Sequence, residues 1–154
     1  MRTITFVIFL FLISIFPLSA KAQGPVSPEI PQAVTEEEVN RFFDEYAARY
    51  MRMDLDAFMD LFSQEAVENR MHPYADIREG YRKAFAKSNS IVYNLEIYSI
   101  QTYQESASVK RRYELIQSLK GSKTKGVFQG DIQWGLIREN GSLKIKEINY
   151  GRDR

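Results

Sequence analysis

The chain has 154 residues, 21 basic and 20 acidic, which is enough for one domain with a real core and too few for two. It has no cysteine and carries near-balanced charge, which excludes a disulfide framework, a lipid-modified cysteine and a strongly basic nucleic-acid surface. A single histidine without any thiol leaves too few ligands for a zinc site, so neither a metal nor a cofactor is expected.

The first 22 residues read as an export signal: Arg2, an apolar run from Ile4 to Phe16, then Ala20-Lys21-Ala22 as an A-x-A cleavage site, with the cut after Ala22. The apolar run is shorter than the roughly 20 residues a membrane-spanning helix needs, so no membrane association is expected after cleavage. Arg2 and Lys21 leave with the signal, and the remaining 19 basic residues face 20 acids. Export without cysteine suits a secreted or periplasmic bacterial envelope protein. Residues 23–34 carry Pro25, Pro28 and Pro31 and read as a proline-rich tether before a domain at 35–154.

Thr35 followed by Glu38 is a capping box, and Val39, Phe42, Phe43, Tyr46 and Tyr50 recur at helical spacing behind it. This predicts a first helix over about 36–52. Asp54 caps a second, shorter helix in which Leu55, Phe58, Met59 and Phe62 share a face, ending at Ser63-Gln64-Glu65. Ala66 to Met71 then reads as a short strand stopped by Pro73, and Ile77, Tyr81, Ala84 and Phe85 mark a third helix to about Lys87.

Four long strands follow: Ile91 to Tyr103, Ala107 to Leu119, Gly126 to Arg138 and Leu143 to Tyr150, with Asn140-Gly141 as a hairpin turn. Runs this long alternate apolar and polar residues and belong to a strongly curved antiparallel sheet. The fold class is therefore α+β, with three N-terminal helices packed on one face of the sheet. The opposite face, with Tyr98, Arg112, Gln129, Gln133 and Ile137, is open to solvent or to a second copy in a homodimer.

This element order resembles the nuclear transport factor 2-like superfamily, a cone-shaped roll that includes SnoaL-like domains. The resemblance runs from about Glu36 to Tyr150 and is carried by three stretches: Asp56 to Val67, Ile77-Arg78-Glu79-Gly80-Tyr81, and the last hairpin, Ile132-Gln133-Trp134-Gly135-Leu136 with Asn140 to Ile145. It implies a pocket between helices and sheet and an activity that the fold alone does not specify. Ketosteroid isomerases of this superfamily use a carboxylate in a Val-Glu-Asp-Pro pattern. Here the chain reads Val67-Glu68-Asn69-Arg70: Asn69 cannot act as a base, and strand alternation turns Glu68 away from it.

The expected pocket set is Tyr46, Asn69, His72, Arg111, Tyr113 and Trp134. His72 lies just past the short strand, near the cone mouth, and is the only histidine able to act as acid or base. Arg111 alternates onto the face of Val109, Tyr113 and Leu115, where a charge needs a partner: a bound anion, or simply Glu147. The leading expectation is an exported, non-catalytic module that binds a small ligand or an envelope protein. The alternatives are a cone-pocket isomerase, cyclase or hydrolase using His72 and Arg111, and an accessory domain for cell-wall enzymes such as L,D-transpeptidases.

Overall fold

The structure is a computed structural model and describes residues 33–151. The signal assigned to residues 1–22, and the tether as far as residue 32, lie outside the described residues. Val34, at the end of the stretch read as tether, packs into the core at 3% exposure and donates its backbone N–H to the Tyr103 carbonyl.

Helix α1 spans Glu36–Arg52. Thr35 Oγ1 accepts the Glu38 N–H at 3.2 Å, and the Thr35 backbone amide stabilises the Glu38 carboxylate in return, so the box closes from both sides. Met53, in the left-handed conformation at φ 56°, ends the helix. Asp54 then caps the five-residue α2, Leu55–Met59, by accepting from the Ala57 N–H.

The second helix ends earlier than its apolar spacing implies. Phe62 begins strand β1, Phe62–Glu68, in place of the strand expected over 66–71. Helical and extended geometry both bury Phe58 and Phe62 at this spacing. Extended geometry from Phe62 onward also buries Ala66 and lets β1 pair parallel with the last strand, Phe62 opposite Ile145. Asn69 and Arg70, at φ 49° and 60°, turn the chain into a two-residue strand β2, His72–Pro73. Helix α3, Tyr74–Lys87, follows directly.

The long strands are β3 (Ser88–Thr102), β4 (Ser106–Leu119), β5 (Lys125–Glu139) and β6 (Ser142–Tyr150). The turn between β5 and β6 puts Asn140 and Gly141 at φ 50° and 79°, the paired positive values that Asn-Gly favours in a tight hairpin. The sheet order is β2-β1-β6-β5-β4-β3. The four long strands are antiparallel, but the sheet is mixed rather than purely antiparallel, because β1 joins β6 in parallel. Register shifts interrupt β3 near Ile97 and the β5–β6 pair at Gly135, where a bulge increases local twist.

The inner sheet face and the helices close around Trp134, which is fully buried, with the Phe43 ring 4.6 Å away and Tyr46 at 5.7 Å. Arg138 donates to both Glu38 carboxylate oxygens at 2.7 and 2.8 Å, tying the start of α1 to the end of β5. The outer face carries polar ladders: Asn94 and Gln129 both donate to Glu114, and Arg112 lies 3.6 Å from Asp131.

Candidate functional site

Residues of α1, α3 and the sheet line a cavity of about 300 Å³, at the small end of ligand sites. Six tyrosines line it: Tyr46 and Tyr50 from α1, Tyr81 from α3, Tyr93 from β3, Tyr113 from β4 and Tyr150 from β6. Residues four apart on α1 project along one side of a helix, and alternate residues of a strand project to one side of a sheet. That is why a stripe and three strands deliver their rings to the same space.

The rings pack in tilted and edge-to-face pairs, except that Tyr46 stacks on Tyr50 and Tyr93 on Tyr113. Tyr50 meets Tyr93 at 4.9 Å and Phe58 at 5.1 Å, and Tyr81 meets Phe58 at 4.8 Å. Tyr46 hydrogen-bonds both Tyr81 and Tyr93 through its hydroxyl, and Tyr113 donates to the Gly151 carbonyl at 3.1 Å. Burial pushes the Tyr46, Tyr81 and Tyr93 hydroxyls well above the ordinary tyrosine range, and Tyr50 upward as well. All four stay protonated and neutral in this wall.

One wall group can carry charge near neutral pH. Glu68 lines the cavity, half-buried, and its carboxyl is raised above the usual range by desolvation. A hydrogen bond from Tyr150 and the nearby His72 both oppose that shift. Placing Asn69 in the cavity turns Glu68 away by alternation; the structure reverses this, because Glu68 follows Ala66 onto the inward face of β1 and Asn69 already belongs to the turn. Asn69 holds this geometry: its Oδ1 accepts the Tyr150 N–H at 3.0 Å and its own N–H donates to the Ile148 carbonyl. It thereby sets Tyr150 beside Glu68.

Of the residues singled out from the sequence, Tyr46 and Tyr113 line the cavity and Asn69 braces its edge. His72 pairs across the hairpin with Glu68 but keeps an exposed side chain, with its ring nitrogen 4.0 Å from Asp76. Trp134 forms the layer beneath the cavity. Arg111 lies on β4 next to Ile132, 5% exposed, its guanidinium 4.1 Å above the Phe43 ring. Its Nε and Nη2 have no hydrogen-bond partner, and burial pushes it down to about 10, partly offset by Asp44. Glu147, offered by the sequence as its partner, accepts instead from the Asn149 amide.

His72 and Arg111 do not converge: three strands, β1, β6 and β5, separate their positions in the sheet. Among the described residues no three His, Asp or Glu side chains are grouped to hold a metal ion. Glu68 is the functional candidate missed by placing Asn69 on the inward face in its stead. The adjacent Asn69-Arg70 pair, both able to adopt turn geometry, was the available signal that the strand ended there.

The sequence matches no protein-family model and no curated protein. Solved structures do resemble it. A nuclear transport factor 2-like superfamily protein from Salmonella enterica serovar Typhimurium LT2 is 16% identical, covering 77% of this chain and 90% of that one at a TM-score of 0.66. A ketosteroid isomerase-like protein from Erwinia carotovora atroseptica is 17% identical over 79% of this chain and 99% of its own, at 0.63. A type 2 hexachlorocyclohexane dehydrochlorinase is 6% identical over 77% and 84%, at 0.60. The chain therefore has the nuclear transport factor 2-like fold, an α+β fold shared by ligand-binding proteins and small enzymes.

Proposed function

We propose that this protein, exported to the bacterial envelope, binds a small, largely apolar ligand in the tyrosine-walled cavity. The observation that carries this reading is the cavity itself: about 300 Å³, open on one side and lined by six tyrosines, with one carboxylate in its wall. Apolar walls with a small number of placed polar groups are how proteins hold and orient small molecules. Six rings contribute apolar surface, and the Tyr46 and Tyr150 hydroxyls supply direction.

A second reading, proton transfer, is favoured by Glu68. A carboxyl whose desolvation raises its pKa is a better base near neutrality than a free one, and it lies on the cavity wall. In that reading Glu68, rather than His72 or Arg111, takes the proton, and the tyrosine hydroxyls stabilise the developing charge.

The test is thermal unfolding of the full chain with monocyclic aromatic and alicyclic compounds, with Trp134 fluorescence as a second readout. A ligand at 100 times its Kd stabilises by about 2.7 kcal/mol. A hit that shifts both signals and saturates supports the reading; a panel that moves neither sinks it.

A further inference from the structure

We propose that the cavity's ligand is a small organic cation, an alkylammonium group held by Glu68 within a cage of tyrosine rings. This deepens the ligand-binding reading and rests on it. Fourteen described residues line the cavity; six are tyrosines, one is a carboxylate and none is Lys, Arg or His. Aromatic rings with one counter-charge are the arrangement in which an ammonium ion exchanges its hydration shell for ring quadrupoles and an ion pair.

The other charge classes fit the same walls poorly. An anionic ligand would meet Glu68 with no compensating cation among the lining residues. A neutral ligand would desolvate the Glu68 carboxylate further and leave it only the Tyr150 hydrogen bond and the exposed His72 as compensation. The buried cation nearby, Arg111, is spent against Phe43 one layer below and does not line the cavity.

The groups around Glu68 agree with a cationic guest. Tyr50 from α1 and Tyr81 from α3 are held neutral by burial, and Tyr150 from β6 donates a hydrogen bond. His72 from β2 lies near Glu68 with its side chain in solvent. A bound cation stabilises the ionised carboxylate, so it pulls the Glu68 pKa down and releases a proton on binding. Affinity then falls as pH drops through the raised Glu68 pKa, where the carboxyl in the empty cavity becomes protonated.

The experiment compares choline with its neutral isostere 3,3-dimethylbutan-1-ol and the anion 3,3-dimethylbutanoate. Each is titrated into the full chain and its Glu68→Gln variant by calorimetry, with fluorescence of Trp134, the only tryptophan. The expected result is choline binding about tenfold tighter than the alcohol, with the anion weakest. In Glu68→Gln that lead disappears, with the alcohol binding at least as tightly as choline, while cooperative thermal unfolding near the wild-type midpoint shows that the variant is folded. Choline affinity should also weaken at acidic pH while the alcohol's does not fall. An alcohol that equals choline in the wild type, or a choline lead that survives in Glu68→Gln, overturns the cation and leaves ligand binding standing. If no choline, alcohol, anion or monocyclic compound binds, both proposals fall together.

Discussion

The Tyr150 hydroxyl donates a hydrogen bond to the Glu68 carboxylate, joining the last residue of β6 to the last residue of β1 across a parallel strand pair. The bond opposes the desolvation that raises the carboxyl, so removing it has a definite sign. Tyr150→Phe should move the Glu68 pKa further up. A carboxyl raised in the folded state binds its proton more tightly there than in the unfolded chain. Its stability contribution is therefore complete below the unfolded value of 4.5 and is lost as pH rises through the folded value. The loss should shift to higher pH in Tyr150→Phe and vanish in Glu68→Gln. Carboxyl chemical shifts followed by NMR against pH read this directly, and a lower Glu68 pKa in Tyr150→Phe would contradict the assignment.

Arg111 is a buried guanidinium with two unpartnered nitrogens and one ring beneath it. Burying a charge without a full hydrogen-bond set costs several kcal/mol, and replacing it by an apolar side chain of similar length is often neutral or stabilising. Arg111→Met should unfold at or above the wild-type temperature. Arg111→Ala, which opens a void against Phe43, should lose about 2 kcal/mol. A Met variant destabilised by more than about 2 kcal/mol would show that the guanidinium holds a favourable partner in solution.

These two residues also show what sequence patterning can carry. Burial of Arg111 was legible because period-two alternation in β4 runs unbroken from Ala107 to Tyr113. What faces it was not, because that depends on how α1 lies on the sheet. Thr35, the α1 stripe and Asn140-Gly141 were legible for a related reason: caps, helical spacing and tight turns are local. Glu68 and the α2–β1 boundary fail that condition. Phe58 and Phe62 satisfy helix and strand spacing alike, and the choice is made by β6, about eighty residues away, which offers Ile145 as a parallel partner to Phe62. The same remote strand supplies Tyr150, whose hydrogen bond opposes the desolvation that raises the Glu68 carboxyl.

The Glu38–Arg138 pair closes the domain between residues 100 positions apart, with both side chains less than one-third exposed. The guanidinium holds the Glu38 carboxyl below its ordinary 4.5, helped by the Thr35 amide. Stability from a lowered carboxylate is present above the unfolded value and is lost as pH falls through the folded one. Glu38→Gln should therefore cost about 1–2 kcal/mol at pH 7. That gap should shrink below pH 4.5, which denaturant unfolding at several pH values checks. A gap independent of pH would assign the loss to the cap rather than to the ion pair.

Gly80 lies on α3 at the cavity wall, and a Cβ added there meets nothing within 4 Å. The position carries the entropic cost of glycine in a helix, about 0.5–1 kcal/mol relative to alanine. Ala at this site should stabilise the fold by roughly that amount and leave ligand binding in place. Leu at the same site should also be at least as stable as the wild type, while its side chain takes up cavity volume needed by the ligand. The pair thus separates folding from function: thermal unfolding should rise in both Gly80→Ala and Gly80→Leu, and choline or any other cavity ligand should bind only the first. Equal binding by both would mean that the ligand uses a different part of the surface, and destabilised variants would mean that α3 needs glycine for close packing that the open space around its Cα does not reveal.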